Sequence, residues 1–209
     1  PSHNAIHANA HALARYAAIC QAGGIVPIVE PEVLMDGDHD IDHCAEVTEW
    51  VLKEQFMELY FAGVQLEGII LKPNMVIAGK KCARQAGAEE VAEKTLEVLK
   101  RCVPTAVPGI AFLSGGQSDA LATAHLDAMN RMGAGSLPWA LTFSYGRALQ
   151  HMPQKVWAGK AENVAAAQRA GLERPILHGT ATLARGISIA APDTQSTSRG
   201  VVRSQPSRW

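Results

Sequence analysis

The chain has 209 residues, with 19 Lys and Arg against 20 Asp and Glu and a formal charge of −1. Apolar residues make up 47% and charged residues 19%, a globular balance that excludes a disordered chain. There is no basic excess of the kind that marks a general nucleic-acid or membrane-surface binder, and no apolar run reaches the ~18 residues of a membrane span.

The length suits one domain or at most two small ones. The sequence starts at Pro1 without Met or a signal-like segment, so it reads as a fragment or a processed chain whose targeting peptide, if any, went with the missing end. A first helix is expected over His3–Gln21, rich in Ala with Ile6, Leu13, Tyr16 and Ile19. His3, His7 and His11 recur every four residues and share one helix face. They could bind a metal, but no carboxylate or cysteine completes the set, and a polar helix face is the better reading.

A strand follows over Gly24–Glu30 (GIVPIVE). Glu30 and Glu32 flank Pro31, and in extended chain residues i and i+2 project to one side. Two carboxylates in one mouth can separate in pKa, one of them working as acid and base near neutral pH; a solvated loop pair has the same pattern. Asp36-Gly-Asp-His-Asp-Ile-Asp42 invites a calcium reading, but an EF-hand wants Gly at its sixth place and Glu at its twelfth, where this chain has Ile41 and Val47. Asp40 or Asp42 as a helix N-cap fits better. The helix it would start, Ile41–Phe61, returns Cys44, Val47, Val51, Leu52, Phe56, Leu59 and Tyr60 to one face.

The second strand, Val64–Lys72, closes on a lysine. Partial desolvation there would disfavour the ammonium, and a neutral amine can attack a carbonyl to form a Schiff base. A strand-end lysine reaching into solvent is the plainer alternative. A helix over Ala88–Cys102 leads to a strand over Pro108–Ser114. Ser114-Gly115-Gly116 then opens a helix over Gln117–Met132, where glycine lets backbone N–H groups approach an anion. The fourth strand, Trp139–Ser144, is followed by Gly146 and Arg147, which repeat that arrangement and add a guanidinium. A pair of glycine turns would look alike. Cys20, Cys44, Cys82 and Cys102 form no CxxC pair and read as reduced, mostly buried thiols of an intracellular protein. After about Leu172 the pattern breaks down, and Pro192–Trp209 reads as a disordered tail. The expected division is therefore a folded unit over 1–172 and a tail over 173–209.

Strands alternating with helices imply βαβ units and a parallel α/β sheet. In such sheets ligands bind beyond the carboxyl ends of the strands. Those ends carry Glu30 and Glu32, Lys72, Ser114–Gly116, and Ser144 to Arg147.

Taken together, these motifs resemble class I fructose-bisphosphate aldolase. The family's Schiff-base signature is matched by Val64-Gln-Leu-Glu-Gly-Ile-Ile-Leu-Lys72-Pro-Asn-Met-Val76. Pro27–Glu32, Asp36–Asp40, Phe112-Leu-Ser-Gly-Gly-Gln-Ser118 and Pro138–Leu149 are also similar to it, as is Pro1 through Gln21. The resemblance runs from Pro1 to about Leu172. It implies a (β/α)8 TIM barrel of which this chain carries the last four strands, a parallel half-barrel, in a cytoplasmic glycolytic lyase that is a homotetramer in the family. The implied reaction is the reversible cleavage of fructose 1,6-bisphosphate to dihydroxyacetone phosphate and glyceraldehyde 3-phosphate, without metal or cofactor. Carried over by motif, Lys72 is the Schiff-base lysine, Glu30 the acid/base and Glu32 a supporting carboxylate. Ser114, Gly115, Gly116, Ser144, Gly146 and Arg147 form the pocket for the ketone-side phosphate. An aspartate, further lysines and an arginine of the family lie in strands that this sequence does not include. From about Gly171 it departs from the family's tail and ends in Trp209 rather than Tyr. Two other classes stay in view: a metal-dependent lyase or hydrolase using the histidines, and a non-catalytic half-barrel that binds phosphorylated ligands or partner chains.

Overall fold

The structure is a computed structural model that describes residues 1–172, with the side chains of Arg147 and Ala148 left outside the description. Helix α1 spans His3–Ala22 and is capped by Ser2, whose side chain accepts from the Ala5 N–H. It stops at Gly23-Gly24, where Gly24 takes φ +72°, a left-handed turn that a side chain would resist. Strand β1 (Ile28–Val29) follows, then α2 (Ile41–Phe61), β2 (Ile70–Leu71), α3 (Ala88–Cys102), β3 (Gly109–Phe112), α4 (Asp119–Met132) and β4 (Ala140–Phe143).

The four strands form one parallel sheet in the order β1-β2-β3-β4. The register sets Val29 opposite Leu71, Leu71 opposite Ile110, and Phe112 opposite Phe143. Sequential parallel neighbours joined by helices are what βα units of this length produce. Consecutive helices pack on one another, α1 on α2, α2 on α3 and α3 on α4. The core joins Val29, Leu71, Ile110, Phe112 and Leu141 of the sheet to Leu52, Phe56, Leu59, Leu96, Leu99, Leu126 and Met129 of the helices. Among the described residues, β1 and β4 are edge strands, each paired on one side only.

Several expectations are corrected. The first two strands are shorter than expected. Ile25 and Val26 are exposed, and Pro27 has no N–H to give to a ladder. Leu66–Gly68 turns as a short 3-10 helix ahead of β2 instead of extending the strand. Helix α4 starts at Asp119, because the Ser118 side chain caps it by accepting from the Leu121 N–H. Two further helices, α5 (Arg147–Trp157) and α6 (Val164–Leu172), pack against each other and were not expected. The four cysteines are free, but only Cys44 is buried. Partial burial still pushes the Cys102 thiol up to about 11. The tail expected beyond Leu172 lies outside the described residues. No described helix is long and apolar enough to cross a membrane.

Candidate active site

The carboxyl ends of the four strands open into one cleft of about 390 Å³, lined by Glu30, Glu32, Lys72, Ser114, Gly115, Gly116, Ser144 and Gly146, with Asp36 and Lys80. Eight of the nine residues expected at the site thus border a single space. The ninth, Arg147, begins α5 beside them, but its side chain lies outside the described residues.

Glu30 and Lys72 take their positions from the β1–β2 ladder. The Lys72 N–H donates to the Val29 carbonyl at 2.7 Å, so the two residues leave adjacent strands at the same level. Their side chains meet, with Lys72 Nζ 2.9 Å from Glu30 Oε1. The lysine side chain is 19% exposed and the glutamate 43%, so the pair sits at the wall of the cleft with the carboxylate toward solvent. The expected burial of Lys72 is present, together with a counter-charge that the spacing did not reveal. A carboxylate at this distance can take a proton from an amine or return one to it without moving.

Glu32 borders the same cleft, as the i, i+2 spacing implied. Its loop is held by Asn74, a buried residue two places beyond Lys72. The Asn74 Oδ1 accepts from the Val33 N–H at 3.0 Å, and its amide donates to Thr48 Oγ1 and to the Met75 carbonyl. The Lys-Pro-Asn stretch therefore works on both sides of the site: the lysine faces the cleft and the asparagine fixes the neighbouring loop.

Gly115 and Gly116 adopt φ +57° and +71°, consecutive left-handed residues that form the turn after β3. The Gln117 N–H closes this turn on the Ser114 carbonyl at 3.0 Å, and the Gln117 side-chain amide donates to the same carbonyl at 2.9 Å. Gln117 Oε1 in turn lies 2.6 Å from Nδ1 of His125, which is buried on α4. Burial lowers the His125 pKa from the ordinary histidine value. A neutral imidazole donating from Nδ1 matches an amide oxygen, so His125 acts as the far support of the glycine loop.

Lys80 is the site residue that motif reading missed. Its ammonium pairs with Asp36 at 3.1 Å, and a Cβ added at Gly116 would come within 2.9 Å of Nζ. The loops after β1 and β2 are laced together by Gly79 N–H to the His39 carbonyl, Lys80 N–H to Met35 and Lys81 N–H to Gly37, each at 2.8 Å. That lacing carries Lys80 over the glycine turn of β3. Within the Asp36–Asp42 run, Asp40 is the N-cap of α2, accepting from the His43 N–H at 2.8 Å. Asp42 sits in the first turn of α2, where hydrogen bonding and charge from Lys94 lower its pKa.

His7 and His11 do not reach this cleft. They face α2, where His7 Nδ1 lies 2.7 Å from Glu54 and His11 Nδ1 lies 2.8 Å from Glu58. The expectation that no carboxylate completes the histidine set is thereby corrected: the carboxylates come from the next helix.

The family model for class I fructose-bisphosphate aldolase matches residues 1–203. "Probable fructose-bisphosphate aldolase class 1" of Xanthomonas campestris pv. campestris is 55% identical over 186 residues, 88% of this chain and 55% of that protein. "Fructose-bisphosphate aldolase 4, cytosolic" of Arabidopsis thaliana is 54% identical over 183 residues, 88% of this chain and 46% of that one. A co-crystal structure of fructose-bisphosphate aldolase from Plasmodium falciparum, in complex with TRAP and a small-molecule inhibitor, superposes with a TM-score of 0.83. It is 50% identical, over 88% of this chain and 52% of that one. The chain spans about half the length of these relatives. With the family model covering nearly the whole sequence and this degree of identity, the chain belongs to the class I fructose-bisphosphate aldolase family.

Proposed function

We propose that the chain carries the Schiff-base half of an aldolase active site, and that the protein it belongs to cleaves fructose 1,6-bisphosphate reversibly to dihydroxyacetone phosphate and glyceraldehyde 3-phosphate. The observation that carries this reading is the 2.9 Å contact between Lys72 Nζ and Glu30 Oε1 at the mouth of the sheet. Lys72 attacks the ketone carbonyl carbon, and the carbinolamine loses water to leave an iminium. Glu30 moves the protons of both steps, giving one to the departing hydroxyl. As a base takes the hydroxyl proton on the ketose's fourth carbon, that oxygen forms the aldehyde carbonyl, the carbon–carbon bond breaks and the iminium accepts its electron pair to become an enamine. Protonation of the enamine carbon and hydrolysis by water then release dihydroxyacetone phosphate and free Lys72. That electron sink makes a metal or cofactor unnecessary for the cleavage. Glu32 supports the charge balance beside the lysine. Ser114, Gly115, Gly116, Ser144, Gly146 and Arg147 receive the ketone-side phosphate, and Lys80 adds a cation to that subsite. Holding the phosphate positions the carbonyl at Lys72, which can lower the barrier by several kcal/mol.

The four strands are the last four of an eight-stranded barrel, with 1–172 as the folded unit and 173–209 as a tail. Supporting this are the two edge strands and an apolar cavity of about 660 Å³ between α1 and the β1–α2 loop, lined by Ile6, Leu13, Leu34 and Val51. The reduced cysteines and the cytosolic plant relative support a cytoplasmic enzyme. Ile19, Tyr60 and Phe61, all more than 60% exposed at the ends of α1 and α2, support a homo-oligomer, tetrameric as in the family.

The edge strands also favour a second reading for the chain on its own: a half-barrel that binds phosphorylated ligands with little turnover. Unpaired parallel edges invite association, and self-association would duplicate Lys72 and Glu30 without supplying groups from the other strands. The test is cleavage of fructose 1,6-bisphosphate by the purified chain and by a barrel completed with the N-terminal half of a relative. The completed barrel should turn over and the chain alone should be slower by orders of magnitude. A soluble monomer of the chain alone working at ~1–10³ s⁻¹ would overturn the half-barrel reading.

A further inference from the structure

Helices α1 and α2 face each other through two pairs of polar residues at one register. His7 lies opposite Glu54 and His11 opposite Glu58, both 47 positions apart, so the helices run in the same direction and the i, i+4 histidines of one meet the i, i+4 glutamates of the other. His7 Nδ1 is 2.7 Å from Glu54 Oε1 and 3.8 Å from Glu58 Oε1. One ligand atom each of His7, Glu54 and Glu58 falls within 4.8 Å of the other two. A tetrahedral zinc with bonds of ~2.0–2.2 Å holds its ligands roughly 3.3–3.6 Å apart, so side-chain adjustments of about an ångström close the set. His11 holds the other oxygen of Glu58 at 2.8 Å. That is the second contact a ligating carboxylate needs to fix its orientation.

Charge points the same way. Glu58 is 9% exposed, and among the described residues neither Glu54 nor Glu58 pairs with a Lys or Arg. Two carboxylates thus share one site without a Lys or Arg partner. Hydrogen bonding to Glu54 raises the His7 pKa, so a proton on His7 answers part of this charge, and a divalent ion takes the place of that proton. The His7 side chain is 54% exposed, which leaves an entry path and an open coordination position for water. The cleft with Lys72 and Glu30 is a separate place, lined by none of these four residues.

We propose that His7, Glu54 and Glu58 bind a divalent transition metal of the zinc type across the α1–α2 seam, with His11 orienting Glu58. The ion ties α1 to α2, the two helices that flank β1 and its Glu30, and so stiffens one wall of the cleft without joining the chemistry. The imidazole donor is what favours zinc, cobalt, nickel or copper, since carboxylates alone suit magnesium, calcium or manganese.

The test is a titration of the full chain, stripped with chelator, with Co²⁺ and Zn²⁺. Co²⁺ should give a visible d–d band without the thiolate charge-transfer band that cysteine ligation would bring. Zn²⁺ at about a hundred times its dissociation constant should raise Tm by about 5–10 °C. His7→Ala and Glu54→Gln should abolish both signals. His11→Ala should keep the band and weaken affinity about 10–100-fold. No band and no Tm shift, a thiolate band, or full signals in His7→Ala would each overturn the proposal.

Discussion

Replacing Gly116 by Ala tests how the loop after β3 is built. Gly116 sits at φ +71°, a backbone state that costs an L-residue ~1–2 kcal/mol. The added Cβ would meet Lys80 Nζ at 2.9 Å and Cε at 3.2 Å. Both atoms are at the far end of a flexible side chain, which can swing away, so the steric contribution is small beside the backbone one. The expected loss is therefore ~1–2 kcal/mol of stability, about 2–8 °C in Tm for a unit of this size. Gly109→Ala provides the contrast. It lies in β3, where an added Cβ meets only the Ala140 carbonyl oxygen at ordinary contact distance, 3.6 Å. There the substitution should be neutral or stabilising by ~0.4–1 kcal/mol through the unfolded chain. The assay is thermal melting of both variants, followed by inorganic phosphate titration. Gly116→Ala should also bind phosphate more weakly, since Lys80 is displaced from the turn. A Gly116→Ala variant that melts at or above the parent temperature would refute the claim that the left-handed turn requires glycine.

Arg147→Ala should weaken binding of a phosphorylated ketose by about 10–100-fold, since a charge-assisted contact is worth ~1.5–3 kcal/mol; equal loss for a non-phosphorylated ketose would contradict the phosphate role. Lys80→Ala should have a smaller effect of the same selectivity, because its ammonium is half exposed and already paired with Asp36. The chain should also lose stability as pH falls below about 6.5 through His125. Burial depresses its folded-state pKa, so the unfolded chain binds the proton more readily and stability is full only above the unfolded value. Melting curves between pH 5 and pH 8 should show this fall reduced in His125→Asn, and an unchanged fall would refute the assignment.

Helices α1 to α4 were readable because each carries its own start signal or apolar period. Asp40 caps α2 as its spacing implied, and Cys44, Val47, Leu52, Phe56 and Leu59 of the expected apolar face are buried, whereas Val51 is partly buried and Tyr60 is 77% exposed. Strand extents were less readable. The run Gly24–Val29 is apolar throughout, yet Ile25, Val26 and Ile28 are exposed at an edge, so burial could not be inferred from hydropathy alone. Helix α5 was hidden by Pro153 in its interior, and α6 by an Ala-rich stretch with one buried residue. At the site, Glu30, Lys72 and the glycine turn are local motifs at strand ends. Lys80 is not, because its place over Gly116 depends on hydrogen bonds between loops far apart in sequence. The same holds for His7 and Glu54, whose meeting depends on the packing of α1 on α2.

The most direct test of the central claim is covalent trapping of the imine. The full chain, alone and in a completed barrel, would be treated with dihydroxyacetone phosphate and borohydride, digested and mapped by mass spectrometry. One labelled peptide, containing Lys72, is expected, with labelling slowed in Glu30→Gln by ~10²–10⁴-fold while phosphate binding is retained. A label on Lys80 or any other lysine, or no label in the completed barrel, would contradict the claim.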